Sequence, residues 1–236
     1  MKKLKQLYEG KAKKVYQTND DDVYWIEYKD DATAFNAQKK GTIVGKGTIN
    51  NKMSAYWFLL LKEEGVPNHF IELVNDNEML VKAVEIVMTE VIIRNIAAGS
   101  ISRRLGIKEG TKLPFPILEF CLKSDELGDP VINEDHILAM GLATNEEIET
   151  MKKYAHKVNN ILKEDLAKKD ITLVDFKIEF GRYHDEIILA DEISPDTCRF
   201  WDANTMEKLD KDRFRRDLGG VEEAYKEAFS RITGEK

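Results

Sequence analysis

Apolar and charged residues alternate with a period of two between Leu173 and Gly181, and this alternation predicts a β-strand. Because successive side chains of a strand point to opposite sides, one face is expected to carry the charged residues Asp175, Lys177 and Glu179. The other face is expected to anchor the strand in a core through its apolar residues, Val174, Phe176, Ile178 and Phe180.

A turn-like segment, residues 181–186, separates this strand from an apolar strand at residues 187–191, so the pair is expected to form a hairpin. With Asp185 at the centre of the turn, Glu179 directly faces Asp191. Two facing carboxylates repel each other, and a cation between them would remove that cost. Hard oxygen ligands with a lysine nearby suggest Mg²⁺ that carries phosphates. The alternative is a half-exposed hairpin with ordinary surface charges.

The remaining pattern predicts short strands and long amphipathic helices, an α+β arrangement in one compact unit or in two small lobes. Further strands are expected at residues 7–8, 14–16, 23–28, 70–74, 78–87 and 91–94, and the strand at 78–87 is expected to connect the lobes. Helices are expected at residues 48–65, 145–169 and 210–232, the last interrupted near Gly219 and Gly220. The polar, glycine-containing residues 31–47 are expected to form a mobile loop.

Composition and charge narrow the classes of function. The 236 residues are 42% hydrophobic and 33% charged, which is the balance of an ordinary soluble globular protein. The net charge of −7 argues against a general nucleic-acid surface but leaves room for a local basic pocket. No stretch approaches the roughly 20 apolar residues of a membrane span. Cys121 and Cys198 have no metal-ligand spacing, so both are expected to be reduced thiols in a cytoplasmic protein.

A short glycine turn with two lysines, Gly10-Lys11-Ala12-Lys13, follows the first strand. The turn lacks the Walker spacing and is therefore not a P-loop. Backbone N–H groups and ammonium charges both favour phosphate, so such a turn can cover a triphosphate. The alternative is an ordinary hairpin turn whose lysine side chains are exposed to solvent.

The strand at residues 91–94 ends at Arg94, and a loop of small residues follows it up to Ser100. Arg94, Gly99 and Ser100 together offer a guanidinium group, a permissive backbone and a hydroxyl group. These groups suit a phosphate monoester or a carboxylate. The alternative for Arg94 is an ion pair at the surface.

Four stretches of the chain resemble sequence motifs of the SAICAR synthetase family. One is the alternating strand from Leu173 to Gly181, LVDFKIEFG, and another is VIIRNIAAGSISRR, from Val91 to Arg104. The other two are LYEGKAKKVY at residues 7–16 and DEISPDTCRFWD at residues 191–202. The motifs keep the family's order, and the resemblance extends from about Leu7 to the C-terminal helix.

The resemblance implies a two-lobed α+β architecture that is similar to the ATP-grasp fold. Residues 1–83 are expected to form a small antiparallel lobe that covers the nucleotide. Residues 84–236 are expected to form a larger C-terminal α/β lobe, with a terminal helix, that binds the metal and the substrates.

The implied reaction condenses 5-amino-1-(5-phosphoribosyl)imidazole-4-carboxylate with L-aspartate and converts ATP to ADP and phosphate, a step of de novo purine biosynthesis. A carboxylate is a poor electrophile, and phosphorylation turns it into an acyl phosphate that the amine of aspartate can attack. Mg²⁺ is the implied cofactor, and neither nucleic acid nor membrane is expected as a partner. The protein is expected to be a cytoplasmic homodimer or a higher homo-oligomer.

Residues at matching positions receive implied roles. The catalytic residues are Asp175, Lys177 and Lys123, and the metal ligands are Glu179 and Asp191. ATP is expected to contact the lysine turn, the connecting strand and the metal pair, through Gly10, Lys11, Ala12, Lys13, Val81, Lys82, Val84, Glu85, Lys123, Glu179 and Asp191. The substrates are expected at Arg94, Gly99, Ser100, Asp129, Asp175, Lys177, Asp196 and Arg199. Residues 33–37 depart from a common family pattern, Ser-Ala-x-Asp-Gly, and receive no ligand role.

Two other functions fit the residues without the resemblance. A small-molecule kinase would use the same lysine turn and carboxylate pair, and it would release ADP without aspartate. A nucleotide-binding module without catalytic activity would bind ATP but would not turn it over.

Overall fold

Three antiparallel sheets and six helices make up residues 1–34 and 38–235, the part of the chain that the computed structural model describes. The α+β class predicted from the sequence is confirmed. The strands are β1 (Lys3–Glu9), β2 (Lys13–Thr18), β3 (Val23–Tyr28), β4 (Asp31–Ala34), β5 (Lys39–Thr42), β6 (Phe70–Asn75), β7 (Glu78–Lys82), β8 (Glu85–Ile96), β9 (Lys112–Leu122), β10 (Val131–Ile132), β11 (Ile171–Tyr183), β12 (Glu186–Ala190) and β13 (Cys198–Asp202). The helices are α1 (Lys46–Glu63), α2 (Ser100–Leu105), α3 (Glu134–Ala139), α4 (Asn145–Ala167), α5 (Asp212–Arg215) and α6 (Val221–Thr233).

The first sheet has the strand order β1-β2-β3-β7-β6, and the second has the order β10-β9-β8-β11-β12, with β13 also paired to β11. Strand β11 is therefore central in the second sheet, because it pairs with β8, β12 and β13. One continuous core joins both sheets to helices α1, α4 and α6. This arrangement places the charged face of β11 at the level where the two sheets meet.

The predicted register of the β11–β12 hairpin is wrong by one position. Tyr183 pairs with Glu186, so the turn contains only His184 and Asp185, whose φ angles of 46° and 66° are those of a tight two-residue turn. Glu179 consequently lies opposite Ala190 and not opposite Asp191. Asp191 has a φ of 62°, and this left-handed residue follows the end of β12.

A bulge changes the core-facing side of β11 near its start. Leu173 pairs with Phe200 and Asp175 with Arg199, so Val174 is an extra residue on β11. Leu173 is part of the main core, whereas Val174 lies in a small separate cluster. The prediction of one apolar face is therefore wrong for Val174, although it is confirmed for the buried residues Phe176, Ile178 and Phe180.

The strand predicted at residues 78–87 is in fact two strands that belong to different sheets. β7 pairs with β3 and β6, whereas β8 pairs with β9 and β11. Between them the N–H group of Ala83 donates to the carbonyl oxygen of Asp22 at 2.8 Å, so the chain turns away from the first sheet there. The division into lobes at residues 83 and 84 stays a prediction.

The prediction of a mobile loop at residues 31–47 is wrong for most of that segment. Strands β4 and β5 pair there, with Asp31 opposite Thr42, and α1 begins at Lys46. The part of the family pattern at residues 35–37 lies outside the described residues.

The long helices follow the sequence pattern closely. In α4 the side chains of Thr144 and Glu147 cap the first turn, and the predicted inward-facing residues are buried: Ile148, Met151, Ala155, Val158 and Leu162. The N-cap residue of α1 is Gly45, which has no side chain, and the N–H groups of Gly45 and Gly47 donate to the carboxylate of Asp30. None of the helices in the described residues is long and apolar enough to cross a membrane.

Candidate active site

A cleft of about 640 Å³ is lined by residues of the first and second sheets and of the loops between them. It brings together 17 of the residues predicted from the sequence: Gly10, Lys11, Ala12, Lys13, Val81, Lys82, Val84, Arg94, Ser100, Lys123, Asp129, Asp175, Lys177, Glu179, Asp191, Asp196 and Arg199. Glu85 does not line it, and the exposed carboxylate of Glu85 forms an ion pair with Arg182 at 3.0 Å. Gly99 does not line the cleft but lies against Arg199, which does.

Lys177 stands at the centre of one half of the cleft. Its ammonium group contacts Glu179 at 2.7 Å, Glu90 at 3.2 Å and Asp191 at 3.4 Å. A second ammonium group, that of Lys123, contacts Glu179 at 2.7 Å. The two carboxylates expected to face each other across the hairpin therefore meet at one lysine, although their strand positions are not opposite.

Lys13 is enclosed by carboxylates and is not the exposed turn lysine that the sequence allowed. It is the first residue of β2, and its ammonium group contacts Asp191 and, at 3.0 Å, Glu192. Only 17% of its side chain is exposed. Burial alone would lower the pKa of Lys13, but the negative charges of Asp191 and Glu192 raise it well above the usual lysine value.

In this half of the cleft the lysine and carboxylate side chains keep each other charged. Burial would raise the pKa of Asp191, but the charges of Lys13, Lys177 and Lys123 outweigh burial and hold that pKa below its usual range. Burial raises the pKa of Glu90, assisted by the negative charges of Glu179 and Asp129. Asp191 is therefore a carboxylate at neutral pH, with charged ammonium groups on either side of it.

Two arginines and a shared carboxylate form the other half of the cleft. Arg94 donates to Asp175 at 3.1 Å and to the hydroxyl of Ser100 at 3.0 Å. Arg199 donates to both oxygens of Asp175 at 2.9 and 3.0 Å. Arg94 also contacts Glu119 at 2.6 Å, so it is a buried, fully paired arginine and not a surface ion pair.

Gly99 supports this half of the cleft from behind. A Cβ atom at Gly99 would lie 2.4 Å from Nη2 of Arg199, and the φ angle of 62° is one that other residues rarely adopt. Gly99 thus allows the guanidinium group of Arg199 to pack against the loop that carries Ser100.

Asp196 connects the cleft to two helices. Its carboxylate accepts from Lys46 of α1 at 3.0 Å, from the hydroxyl of Tyr225 of α6 at 2.6 Å and from Lys211 at 3.3 Å. Burial would raise the pKa of Asp196, but Lys211 and Lys46 hold it below the usual range. Lys46 is completely buried and does not line the cleft.

Sequence reasoning missed several charged residues that line the cleft: Glu90, Glu192, Lys211 and Arg215. Glu90 directly precedes the matched stretch at residues 91–104 and pairs with Glu179 across β8 and β11. Glu192 lies inside the matched stretch at residues 191–202, beside Asp191. Lys211 and Arg215 have no comparable signal, because only the fold brings their segment to β13.

The loops at the mouth of the cleft contact each other. Lys11 of the glycine turn forms an ion pair with Asp125 at 2.5 Å, and both side chains are exposed. Asp129 has a φ of 50°, and its carboxylate accepts from the N–H group of Ser124 at 2.9 Å. Asp129 therefore shapes the loop that carries Lys123.

An apolar slot extends from the lysine-rich half of the cleft. It is lined by side chains of the first sheet, of the connection to the second sheet and of β8: Val15, Ile26, Val81, Val84 and Ile86. The ammonium group of Lys82 lies 5.1 Å from the centre of the Tyr183 ring. A flat aromatic base next to phosphates fits such a slot better than a second anion does.

The described residues contain no cluster of three or more histidine, cysteine or acidic side chains that could hold a metal ion without further ligands. Glu179 and Asp191 offer two carboxylates. Mg²⁺ is commonly held by one or two carboxylates and completes its shell with phosphates and water, so a pair of this kind fits Mg²⁺ bound together with a nucleotide.

A family model described as SAICAR synthetase matches residues 6–232. The phosphoribosylaminoimidazole-succinocarboxamide synthase of Coprothermobacter proteolyticus is 64% identical over 233 residues, which cover 98% of this chain and 99% of that protein. The protein with the same name from Lachnoclostridium phytofermentans is 63% identical over 232 residues, with 98% and 99% of the two chains covered.

Solved structures show the same similarity. The crystal structure of phosphoribosylaminoimidazole-succinocarboxamide synthase from Ehrlichia chaffeensis has a TM-score of 0.96 and 45% identity, and it covers 98% of this chain and 100% of its own. A SAICAR synthetase in complex with ADP has a TM-score of 0.94 and 52% identity, with 97% and 98% of the two chains covered.

Proposed function

The chain belongs to the SAICAR synthetase family, and we infer from this membership and from the cleft that it catalyses the ATP-dependent condensation of 5-amino-1-(5-phosphoribosyl)imidazole-4-carboxylate with L-aspartate. It is thus a carbon–nitrogen ligase of purine biosynthesis. The observation that carries the assignment is the division of one cleft into two halves that suit anions, joined by β11. Asp175 of this strand belongs to the arginine half, and Lys177 and Glu179 belong to the lysine half.

We assign the lysine half to ATP. Lys13, Lys123 and Lys177 are paired with carboxylates that phosphates can replace. The adjoining apolar slot is the place for adenine, beside the connection from Val81 to Val84. Lys11 at the mouth of the cleft can exchange Asp125 for the terminal phosphate.

Glu179 and Asp191 would hold Mg²⁺ once the phosphates of ATP occupy their lysine partners. When bound, the ion supplies neutralisation of the phosphate charge, which phosphoryl transfer requires. The exchange keeps the charges balanced, because each ammonium group trades a carboxylate for a phosphate oxygen. This assignment rests on the donor types and on their common contact with Lys177.

We assign the arginine half to the imidazole nucleotide. Arg94 and Arg199 present planar forks that suit the ribose phosphate, and Ser100 adds a hydroxyl group. Asp175 orients both guanidinium groups, and Asp129 and Asp196 also line the cleft. The carboxylate of the imidazole then lies towards Lys177 and the terminal phosphate of ATP, since β11 runs from one half to the other.

The reaction follows from this placement. A carboxylate oxygen of the imidazole attacks the terminal phosphorus of ATP, the bond from phosphorus to ADP breaks, and an acyl phosphate forms. The amine of aspartate attacks the acyl carbon, and phosphate leaves. The ammonium groups stabilise charge during both steps. Burial raises the pKa of the Cys198 thiol in the cleft far above its usual value, so this residue does not act as a nucleophile at neutral pH.

The product balance tests this function and distinguishes it from a small-molecule kinase. We expect sustained ADP release only when ATP, the imidazole carboxylate and L-aspartate are all present, with one succinocarboxamide formed for each ADP. ADP release at the full rate without aspartate would support the kinase. Binding of ATP without turnover under any of these conditions would support a nucleotide-binding module.

We further propose that the protein is a cytoplasmic homo-oligomer in which residues 1–83 cover the nucleotide and residues 84–236 hold the metal and the substrates. The buried free thiols of Cys121 and Cys198 suit a reducing compartment. The edge strands β1 and β6 expose apolar side chains that a second copy could cover, among them Leu4, Leu7, Ile71 and Leu73. Sedimentation velocity of the purified protein tests the oligomeric state.

A further inference from the structure

Asp212 joins two arginines of the cleft that come from different elements. Oδ2 of Asp212 accepts from Nε of Arg199 on β13 at 2.9 Å, and Oδ1 accepts from Nη1 of Arg215 on α5 at 2.6 Å. Only 2% of the Asp212 side chain is exposed, although both arginines line the cleft. A ligand therefore cannot reach this carboxylate, but the carboxylate determines how the two guanidinium groups are presented to a ligand.

The guanidinium group of Arg199 is fixed on three sides. Asp212 accepts from Nε, Asp175 accepts from Nη1, and Nη2 packs against Gly99. Among the described residues no acceptor is found for the N–H groups of Nη2, which face the loop leading to Ser100. Arginine carries five N–H donors in a rigid fork, so fixing Nε and Nη1 also fixes the direction in which Nη2 can donate.

The segment around Asp212 is itself anchored to β13. One oxygen of Asp210 accepts from the N–H group of Phe200 at 2.9 Å, and the other accepts from the N–H group of Asp212 at 2.7 Å. Asp210 is thereby bound to β13 one position after Arg199, and it holds the backbone of Asp212 beside that arginine. Arg215 follows three residues later on α5, which places it on the same side of the helix.

We propose that Asp212 is a positioning residue that aligns Arg199 and Arg215 to bind the ribose 5′-phosphate of the imidazole nucleotide. The proposal rests on the proposed function, because it assumes that the arginine half binds this phosphate. Replacement of the carboxylate by an amide removes an acceptor and sets an N–H₂ group against a guanidinium group. The arginines then lose their shared anchor and present their donors in other directions.

The test compares Asp212→Asn with Asp202→Asn. Asp202 is also a buried carboxylate of β13 and pairs with Arg231 at 2.7 Å, but it does not line the cleft. Calorimetry measures the affinity of each protein for the imidazole carboxylate nucleotide, for the same compound without its 5′-phosphate, and for ATP. We expect Asp212→Asn to weaken binding of the nucleotide by roughly 10- to 100-fold, the effect of losing hydrogen bonds to charged groups.

Binding of the dephosphorylated compound and of ATP should change less than about twofold in Asp212→Asn, and Asp202→Asn should bind all three ligands as the unaltered protein does. Equal losses for the phosphorylated and dephosphorylated compounds, or unchanged nucleotide binding, would overturn the positioning role.

If Asp212→Asn does not fold, Asp212→Glu retains the charge and should give a smaller loss that is confined to the phosphorylated compound. Equal losses for both compounds would again overturn the role. An unaltered protein that fails to make the succinocarboxamide would instead refute the proposed function.

Discussion

Lys177 and its carboxylate partners show how single residues set the chemistry of the cleft. The lysine is charged because Glu179, Asp191 and Glu90 surround it, and burial alone would have lowered its pKa. The carboxylates are likewise paired with lysines before any ligand is present. Binding of ATP therefore has to exchange partners within a preformed set of charges, and each variant below tests one member of that set.

The first prediction concerns Glu179 and Asp191. Glu179→Gln or Asp191→Asn should lower the turnover number by about 100-fold or more, the scale of a lost electrostatic contact in the transition state. The reason is that an amide oxygen coordinates Mg²⁺ more weakly than a carboxylate does. Steady-state rates across a magnesium titration measure the effect, and circular dichroism shows whether the fold is retained.

Glu186→Gln serves as the control, because Glu186 lies on the same hairpin and is exposed. It should retain the rate and the magnesium dependence of the unaltered protein. Normal rates and normal magnesium dependence in both Glu179→Gln and Asp191→Asn would rule out their assignment as metal ligands.

The second prediction separates Lys13 from Lys11. Lys13→Met leaves Asp191 and Glu192 without their shared ammonium group. It should therefore lower the free energy of unfolding by about 1–3 kcal/mol, and it should also weaken ATP binding. Lys11 is exposed and pairs with the exposed Asp125, so Lys11→Met should change stability by less than about 0.5 kcal/mol. Urea unfolding without ligand measures both values, and equal stabilities of the two variants would contradict the enclosed position of Lys13.

At the scale of elements, β11 was the most predictable part of the molecule. Its alternation of charged and apolar residues placed Lys177 and Glu179 in the cleft and Phe176 in the core, because a strand has a fixed period of two. The alternation did not reveal the bulge at Val174 or the two-residue turn. Both depend on the backbone of neighbouring strands, which one strand's own sequence does not encode.

The third prediction concerns the contact between β11 and the connection of the two sheets. A Cβ atom at Gly181 would lie 2.5 Å from Cγ2 of Val84, which lines the apolar slot. Gly181→Ala should therefore displace Val84 and weaken ATP binding by about fivefold, with a loss of about 1–3 kcal/mol in unfolding free energy from overpacking. Val84→Ala in the same protein removes Cγ2 but leaves the Cβ atom of residue 84, 2.7 Å from the new Cβ atom, so it should restore only part of the stability. Unchanged ATP affinity in Gly181→Ala would place the base elsewhere in the cleft.

At the scale of the whole molecule, the site depends on contacts between distant segments. Most of the residues that line the cleft lie in the matched motifs. A motif identifies its own side chains regardless of where the fold places them. Glu90 and Lys211 were missed because their partners lie on distant segments, and Arg215 was missed because only Asp212 connects its helix to Arg199 of β13. The split of residues 78–87 into two strands was missed for the same reason: apolar residues continue across the boundary while the pairing partners change.

The fourth prediction concerns the dependence of stability on pH. Burial, together with the negative charge of Asp212, raises the pKa of Asp210 to about 7, whereas an unfolded aspartate has a pKa of about 3.9. The native state therefore retains a proton that the unfolded state releases, so this stabilisation is fully present below about pH 4 and is lost as the pH rises through about 7. Asp210→Asn should show a smaller decline in unfolding free energy than the unaltered protein between about pH 5 and pH 8.

Carboxylates with a lowered pKa act in the opposite direction. The charges of their basic partners hold the pKa of Asp191, Asp196 and Asp212 below the usual range, against the effect of burial. Their stabilisation is present above the unfolded pKa of about 3.9 and is lost as the pH falls below it. Urea unfolding at a series of pH values measures both trends. Parallel curves for Asp210→Asn and the unaltered protein between about pH 5 and pH 8 would contradict the raised pKa of Asp210.

In the proposed reaction the cleft places the carboxylate of the imidazole nucleotide against the terminal phosphate of ATP. Labelling both oxygens of that carboxylate with the heavy oxygen isotope and running the full reaction tests it directly. We expect one labelled oxygen in the released phosphate and one in the amide carbonyl of the product, because the oxygen that attacks phosphorus later leaves with it. Phosphate that carries oxygen from the solvent and none from the carboxylate would contradict the acyl phosphate, and Asp175 and Lys177 would then have no part in positioning the reacting carboxylate.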